Sequence, residues 1–156
     1  MVIDYAHTPD ALEKALSALR GTNPKRLVCV FGCGGDRDAK KRPLMGEIAV
    51  KNSDLTIVTS DNPRSEDPAA IIEDILAGIP AGSGEYHVVE NRRDAIEYVI
   101  SHAREGDVIL LAGKGHEDYQ ILRGGKIHFD EREIIREILE RKNKREETPT
   151  GVGEKG

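Results

Sequence analysis

The stretch LVCVFGCGGDRDAKKRP (residues 27–43) contains an apolar run, a glycine-rich loop and the start of a helical pattern, in that order. LVCVFG is too short for a helix, is rich in β-branched and aromatic residues, and ends at glycines, so it predicts a buried strand. The apolar residues Leu44, Met45, Ile48 and Ala49 then recur with the period of a helix. A strand, a loop and a helix in this order are the repeating unit of an α/β protein.

The same alternation extends to both sides of this stretch. Further strands are predicted at LTIVTS (55–60), YHVVE (86–90) and DVILLAG (107–113), and helical stripes at 12–19, 71–76, 95–103 and 134–139. Thr8 and Pro9 provide an N-cap and an early proline for the first helix. Strands that are apolar on both sides and alternate with helices predict a Rossmann-like, mainly parallel sheet with helices on both faces.

Two features at the end of the sequence complete the predicted domain. YQILRGGKIHF (119–129) is typical of a hairpin that turns at Gly124-Gly125 and adds antiparallel pairing at one edge of the sheet. Residues 143–156 are polar and without period, which predicts a disordered tail. We therefore expect one domain over residues 1–142.

Composition and charge exclude several classes of function. The net charge of −5 argues against a nucleic-acid surface, and no apolar run is long enough to span a bilayer. The first ten residues do not have the pattern of a signal peptide, so we expect a cytoplasmic protein. Cys29 and Cys33 have neither redox nor zinc spacing, so we expect reduced thiols, one of them buried, and no metal site. A short basic cluster opens the next helical pattern at Lys40, Lys41 and Arg42. We expect these side chains to be a solvated helix start that needs no partner.

Polar loops follow the predicted strands: GCGGDRDAKKRP (32–43), DNPRSEDP (61–68) and KGHEDYQ (114–120). Because parallel strands end at one edge of a sheet, and ligands bind there, we expect one site that uses all of these loops. The glycine loop does not have the dinucleotide pattern GxGxxG, since Arg37 occupies the third glycine position. The Walker pattern GxxxxGK[ST] is also absent from the sequence.

The segment DNPR combines a carboxylate (Asp61), an amide (Asn62), a rigid Pro63 and a guanidinium (Arg64). Arginine binds carboxylates with two parallel hydrogen bonds, and an aspartate or asparagine can receive an ammonium group. Taken alone, DNPR is also compatible with a type I turn and an exposed arginine. With Arg37 and GKGHE (113–117) added, the loops describe a pocket with two guanidinium groups and two acids, which suits a zwitterion better than a phosphate.

DYAHTPD (4–10), FGCGGDRDAKKRP (31–43), SDNPR (60–64) and LLAGKGHEDYQ (110–120), in this order, resemble the C-terminal domain of the Mur ligases. The similarity covers nearly the whole chain apart from the tail, and it is closest to the members that add meso-diaminopimelate to a peptidoglycan precursor. It implies an ATP-dependent amide ligase of three domains. The central domain of such an enzyme carries the P-loop and binds ATP and Mg²⁺. ATP activates the glutamate carboxylate of the UDP-sugar dipeptide, and the amine of the incoming amino acid attacks.

The resemblance also implies roles for particular residues. Asp61, Asn62 and Arg64 are expected to bind the distal end of diaminopimelate, with Pro63 holding their segment rigid. Arg37 is expected to pair with a carboxylate, while Gly113 and Glu117 complete the pocket with Glu117 towards the ammonium group.

Asp4, Tyr5 and His7 are expected to be exposed and to face the nucleotide across a domain cleft. No residue of this chain is expected to be catalytic by itself. Without a P-loop the chain alone is expected to be inactive, and its partners are the N-terminal and central domains of the ligase.

Two alternatives stay open at this point. Other Mur-type enzymes, such as lysine-adding ligases or folylpolyglutamate synthases, share the architecture, although the latter are not expected to combine DNPR with GKGHE. A stand-alone amino-acid-binding module that keeps the fold without the chemistry belongs to a different class of protein.

Overall fold

A computed structural model of the chain describes residues 1–147 and shows a five-stranded parallel sheet with the strand order β1-β5-β2-β3-β4. The strands are β1 (Val2–Asp4), β2 (Arg26–Phe31), β3 (Leu55–Val58), β4 (Glu85–Val88) and β5 (Asp107–Ala112). β3, nearly all of β2 and the last four residues of β5 are buried, as their apolar sequences predicted, whereas β4 is an exposed edge strand. The carboxyl ends of β5, β2 and β3 are therefore adjacent.

Helices cover both faces of this sheet, which confirms the predicted α/β class. They are α1 (Pro9–Arg20), α2 (Lys41–Asn52), α3 (Pro68–Leu76), α4 (Arg92–Ser101) and α5 (Glu131–Glu147). The first three pack against the side of the sheet that contains Cys29 and Phe31, while α4 and α5 pack against the side that contains Val28 and Val30. The Thr8 hydroxyl caps α1 by accepting a hydrogen bond from the Ala11 amide at 3.2 Å, as predicted.

The hairpin forms a small sheet of its own. β6 (Tyr119–Leu122) pairs with β7 (Gly125–His128), and within residues 1–147 neither strand pairs with the main sheet. Leu122 lies opposite Gly125, so the turn consists of Arg123 and Gly124 rather than Gly124-Gly125. Gly125 has a φ of +128°, which a residue with a side chain rarely adopts. The hairpin contacts the loop that follows β3, and this contact shapes the pocket described below.

Three further observations differ from the sequence-based expectations. α5 continues through 143–147, beyond the predicted domain boundary; the rest of the predicted tail, 148–156, lies outside the described residues. Cys33 is buried as well as Cys29. Arg42 is also buried, so it is not part of a solvated helix start. None of the described helices combines the length and apolar composition that a bilayer span requires.

Candidate functional site

A pocket of about 230 Å³ opens at the carboxyl end of the sheet. It is smaller than the roughly 300–1,000 Å³ of pockets that hold drug-sized ligands, so its size suits a small metabolite. Its walls come from the β1–α1 segment and from the loops after β2, β3 and β5. The polar lining residues are Tyr5, His7, Arg37, Asp38, Lys41, Arg42, Asp61, Asn62, Arg64 and Glu117.

Most of the predicted site residues meet in this pocket. Arg37, Asp61, Asn62, Arg64, Gly113 and Glu117 line it, together with Tyr5 and His7. Asp4 and Pro63 do not line it. The Asp4 carboxylate accepts a hydrogen bond from the Ala6 amide at 2.8 Å, and Pro63 is buried beneath the glycine loop. The structure therefore brings the predicted loops together, while the ligand-binding roles of these residues stay predictions.

The glycine loop packs directly against the backbone of the DNPR segment. The Gly35 amide donates a hydrogen bond to the Asn62 carbonyl at 2.8 Å. A Cβ atom at Gly35 would lie 1.8 Å from the Pro63 oxygen, and one at Gly32 would lie 2.2 Å from the Thr59 oxygen. These glycines are needed because two backbone segments approach closely. Their spacing therefore reflects packing between two loops rather than the cradle of a dinucleotide.

Arg64 is fixed by its backbone and by one nitrogen of its guanidinium group. It has a φ of +53°, its amide donates to the Ile121 carbonyl at 3.0 Å, and Nη1 donates to the Gly35 carbonyl at 2.9 Å. Among the described residues, Nε and Nη2 have no hydrogen-bond partner. The half-buried side chain is thus not the exposed arginine of a plain turn. Two donor nitrogens therefore remain for a ligand in the pocket that Arg64 lines.

Lys114 is a central residue that the sequence analysis did not select. Its side chain is 0% exposed, and Nζ donates to Asn62 Oδ1 at 2.9 Å and to the Tyr119 carbonyl at 2.8 Å. Nζ also lies 3.5 Å from Asp61 Oδ1 and 3.7 Å from Glu117 Oε1. Burial lowers the pKa of Lys114, and the carboxylate of Asp61 opposes that effect. The signal in the sequence was a single lysine between two glycines directly after the most apolar strand.

Glu117 reaches the pocket from the same loop. Its Oε2 accepts a hydrogen bond from the Tyr119 hydroxyl at 3.0 Å, and this bond raises the pKa of that hydroxyl. Asp61 Oδ1 is buried, and no described residue donates a hydrogen bond to it. Its 3.5 Å distance to the ammonium group of Lys114 corresponds to an ion-pair contact only. Two carboxylates therefore share one internal ammonium group, which leaves this corner of the pocket with a net negative charge for a ligand cation.

Two buried arginines, Arg42 and Arg92, donate hydrogen bonds to backbone carbonyls in or next to the pocket loops. Arg42 donates to Asp74 at 2.9 Å, to Glu66 at 3.0 Å and to the Gly34 carbonyl at 3.1 Å. The hydrogen bond to Glu66 is the largest of the effects that raise the pKa of Arg42. The positive charge of Arg42 is therefore neutralised by two carboxylates, and its side chain anchors the glycine loop.

Arg92, the second buried arginine, lies on the other face of the sheet and also combines an ion pair with hydrogen bonds to carbonyls. Its Nε donates to Glu131 at 2.9 Å, Nη2 to the Ala112 carbonyl at 2.9 Å and Nη1 to the Ser60 carbonyl at 3.3 Å. Both carbonyls belong to residues that immediately precede the pocket residues Asp61 and Gly113. The ion pair thus ties the ends of β3 and β5 to the starts of α4 and α5.

The segment before α1 presents exposed rings at the mouth of the pocket. Tyr5 and His7 are both exposed, as expected, and the Tyr5 ring lies 4.7 Å from the His7 ring and 6.4 Å from the His116 ring. Asp4 is half-buried. Within residues 1–147, no group of three or more His, Cys, Asp or Glu side chains could hold a metal ion.

The sequence matches the protein family described as Mur ligase, glutamate ligase domain, over residues 1–115. Two curated relatives are named UDP-N-acetylmuramoyl-L-alanyl-D-glutamate--2,6-diaminopimelate ligase. The one from Gloeobacter violaceus is 57% identical over 145 residues, which is 93% of this chain and 29% of the relative. The one from Clostridium botulinum is 56% identical over 139 residues, which is 89% of this chain and 28% of the relative.

A solved structure of a ligase with the same name is also similar. It superposes with a TM-score of 0.86 at 44% identity and covers 90% of this chain and 29% of the solved one. The chain thus spans under a third of the length of each of these three proteins. The family match covers most of the chain and includes the loops after β2 and β3 and the start of the loop after β5. The chain therefore belongs to the family of Mur ligase glutamate ligase domains.

Proposed function

We propose that this chain is the amino-acid-binding domain of an ATP-dependent ligase that adds meso-diaminopimelate to UDP-N-acetylmuramoyl-L-alanyl-D-glutamate. The observation that carries the proposal is the state of Arg64, whose guanidinium group is anchored through Nη1 and whose other two nitrogens have no hydrogen-bond partner among residues 1–147. Diaminopimelate differs from lysine by a carboxylate at its far end, and a guanidinium fork is the group that binds a carboxylate best. The names of the curated relatives agree with this substrate.

The charges around the pocket suit both ends of an amino-acid group. Arg37 and Arg64 supply guanidinium groups for carboxylates, while Asp61 and Glu117 share only one internal ammonium group, that of Lys114. An amino acid with an ammonium and a carboxylate group at its distal end would satisfy both sets. A lysine-adding ligase has no such carboxylate to bind, and the arginine would then remain unpaired at a cost in affinity.

ATP and Mg²⁺ belong to the proposed reaction but mainly to another domain. When bound, ATP supplies the phosphoryl group that activates the acceptor carboxylate. In this chain, Asp4, Tyr5 and His7 are the candidates to face the nucleotide, and the exposed Tyr5 ring beside two imidazoles fits a flat base. Since the sequence has no Walker pattern, we expect the chain alone not to hydrolyse ATP.

A chimeric ligase tests the proposal. This chain replaces the matching segment of the Gloeobacter violaceus relative, and ADP release is measured with the UDP-sugar dipeptide and meso-diaminopimelate. We expect ADP release that depends on diaminopimelate, and none from the chain alone. Preference for lysine would favour another Mur-type ligase, and a folded chimera without activity would favour the stand-alone module. Substrate-dependent ADP release by the purified chain alone would contradict the expected need for the other domains.

A further inference from the structure

The side-chain amide of Asn62 has a defined orientation in the pocket wall. Its Oδ1 accepts two hydrogen bonds, from Lys114 Nζ at 2.9 Å and from the Ile121 amide at 3.0 Å. An ammonium group and a backbone N–H can only donate, so the atom that both of them contact must be the amide oxygen. This argument fixes the orientation, although an amide's oxygen and nitrogen are otherwise hard to tell apart.

The amide nitrogen of Asn62 is consequently the part that remains for a ligand. Asn62 lines the pocket, and among the described residues its Nδ2 has no hydrogen-bond partner. An amide nitrogen carries two donors and no acceptor, so in this orientation Asn62 can bind a carboxylate but not an ammonium group. Because Arg64 lies two residues further on and also keeps free donors, the two side chains present donors to the same region.

Lys114 is the side chain that enforces this orientation. It is fully buried, and its other short hydrogen bond goes to the Tyr119 carbonyl, in the first residue of β6. The hairpin closes over the DNPR segment through further bonds: Gln120 Nε2 donates to the Asp61 carbonyl at 2.7 Å, and the Arg64 amide donates to the Ile121 carbonyl. The lysine therefore joins the loop after β5 to the start of β6 and to the DNPR segment, which lies 52 positions earlier in the sequence.

We propose that Lys114 is a positioning residue that fixes the amide of Asn62 with its nitrogen towards the pocket, so that Asn62 and Arg64 together bind one carboxylate of the amino-acid substrate. The inference rests on the proposed function, because it names the group in the ligand that this wall of the pocket recognises. It assigns Lys114 an indirect role, since the ammonium group acts through Asn62 and lies behind the pocket surface.

The first test replaces Lys114 by methionine in the chimeric ligase, with Lys126→Met as the matched control. Lys126 is exposed and lies 4.2 Å from the centre of the same Tyr119 ring, so the control removes a lysine from the same neighbourhood without touching Asn62. We expect the KM for diaminopimelate to rise about tenfold or more in Lys114→Met, since hydrogen bonds to charged groups are among the stronger ones. The KM for ATP and all parameters of Lys126→Met should stay near the original values. A KM for diaminopimelate that does not move, or that rises together with the KM for ATP, would overturn the proposal.

A second variant keeps the test decisive if Lys114→Met does not fold. Asn62→Asp retains both acceptor bonds, to Lys114 and to Ile121, but places an oxygen where the amide nitrogen was. We expect a folded protein, by circular dichroism, whose KM for diaminopimelate rises more than that of Asn62→Ala. If Asn62→Asp binds the substrate as well as the original chain does, Asn62 does not donate to a carboxylate and the inference is wrong. An unmutated chimera without diaminopimelate-dependent activity would instead overturn the proposed function itself.

Discussion

The two ends of the parallel sheet carry similar charged residues but use them differently. At the amino end, Arg26 donates to both oxygens of Asp107, at 3.1 and 2.7 Å, and Arg20 donates to Asp54 at 2.9 Å. Both carboxylates also accept a backbone N–H, from Arg104 and Leu27 respectively. These pairs use their hydrogen-bonding groups within the protein, and they join elements that are distant in sequence.

At the carboxyl end, comparable groups keep part of their capacity unused. Within the part of the chain that the structure describes, two guanidinium nitrogens of Arg64 have no partner and Asp61 Oδ1 accepts no hydrogen bond. The buried side chains Lys114, Arg42 and Arg92 hold the loops in this state. The difference teaches that charge alone does not mark a binding site. What distinguishes the pocket is the presence of oriented donors and acceptors that the fold itself leaves unpaired.

The largest effect should come from removing the guanidinium group of Arg64. In the chimeric ligase, the ratio of kcat/KM for meso-diaminopimelate over L-lysine should be about 10⁴, because sites built to bind a polar group reject analogues without it. Arg64→Ala should lose most diaminopimelate activity and lower this ratio by at least about a hundredfold. Arg64→Lys should recover little, since it lacks the planar fork.

The control for Arg64 is Arg123→Ala. Arg123 is exposed in the hairpin turn and donates to the Ser65 carbonyl at 2.8 Å, close to the same loop. Its removal should leave the ratio unchanged. An unchanged ratio in Arg64→Ala would make Arg64 a turn residue only, and the proposed contrast between the two ends of the sheet would disappear.

An intermediate effect on stability should follow from breaking the support behind the pocket. Arg92 and Glu131 are 0% and 1% exposed, and removing one partner of such a pair leaves a buried charge. Arg92→Met should therefore lower the free energy of unfolding of this chain by about 3–5 kcal/mol, measured by urea denaturation. Replacing both residues, as Arg92→Met with Glu131→Leu, should restore much of the loss. A loss below about 1 kcal/mol for Arg92→Met would show that the pair is not a structural support.

The smallest effect should appear at the amino end of the sheet, as a dependence of the free energy of unfolding on pH. The hydrogen bond from Arg20 is the largest cause that lowers the pKa of Asp54 below its ordinary value. A carboxyl group whose pKa is lower in the folded state stabilises the protein above its unfolded pKa of about 3.9, and this stabilisation is lost as the pH falls through the folded pKa. In Asp54→Asn, the part of the stability loss below about pH 4 that comes from Asp54 should be absent. This part of the free energy of unfolding should be under about 1 kcal/mol, because the Arg20–Asp54 pair is partly exposed.

The measurement is the free energy of unfolding between pH 7 and pH 3 for both proteins. The difference between them should be constant above about pH 5 and shrink below it. An equal acid dependence in the two proteins would mean that Arg20 and Asp54 do not interact in solution.

The sheet and the location of the site could be predicted because both depend on local patterns. Apolar runs such as those of β2 and β5 are continuous in sequence, and polar loops that follow parallel strands must lie at the same edge. The position of Arg64 and Glu117 in one pocket follows from this geometry. The exposed rings of Tyr5 and His7 follow from their place in a polar segment before a helix.

The buried charges could not be predicted in the same way. Hydrophobic periodicity reports where apolar side chains are buried, whereas a charged side chain is buried only if distant groups accept its hydrogen bonds. Lys114 depends on Asn62, 52 positions earlier, and Arg42 depends on Asp74, 32 positions later. The hairpin does not pair with the sheet edge for a related reason, since its partners are the Asp61 carbonyl, the Asn62 side chain and the Arg64 amide of the DNPR segment.

The two buried thiols have a practical consequence for experiments on this protein. Burial raises the pKa of Cys29 and of Cys33 to about 12, so neither provides much thiolate at neutral pH. Maleimide reagents react with thiolates, and the folded chain should therefore remain almost unlabelled. A cysteine introduced at the exposed Ser17 of α1 would be a single attachment point for a fluorophore, with both natural cysteines left in place. In the chimeric ligase, energy transfer from this position to a second fluorophore on the Gloeobacter violaceus part could then test whether this domain moves during turnover.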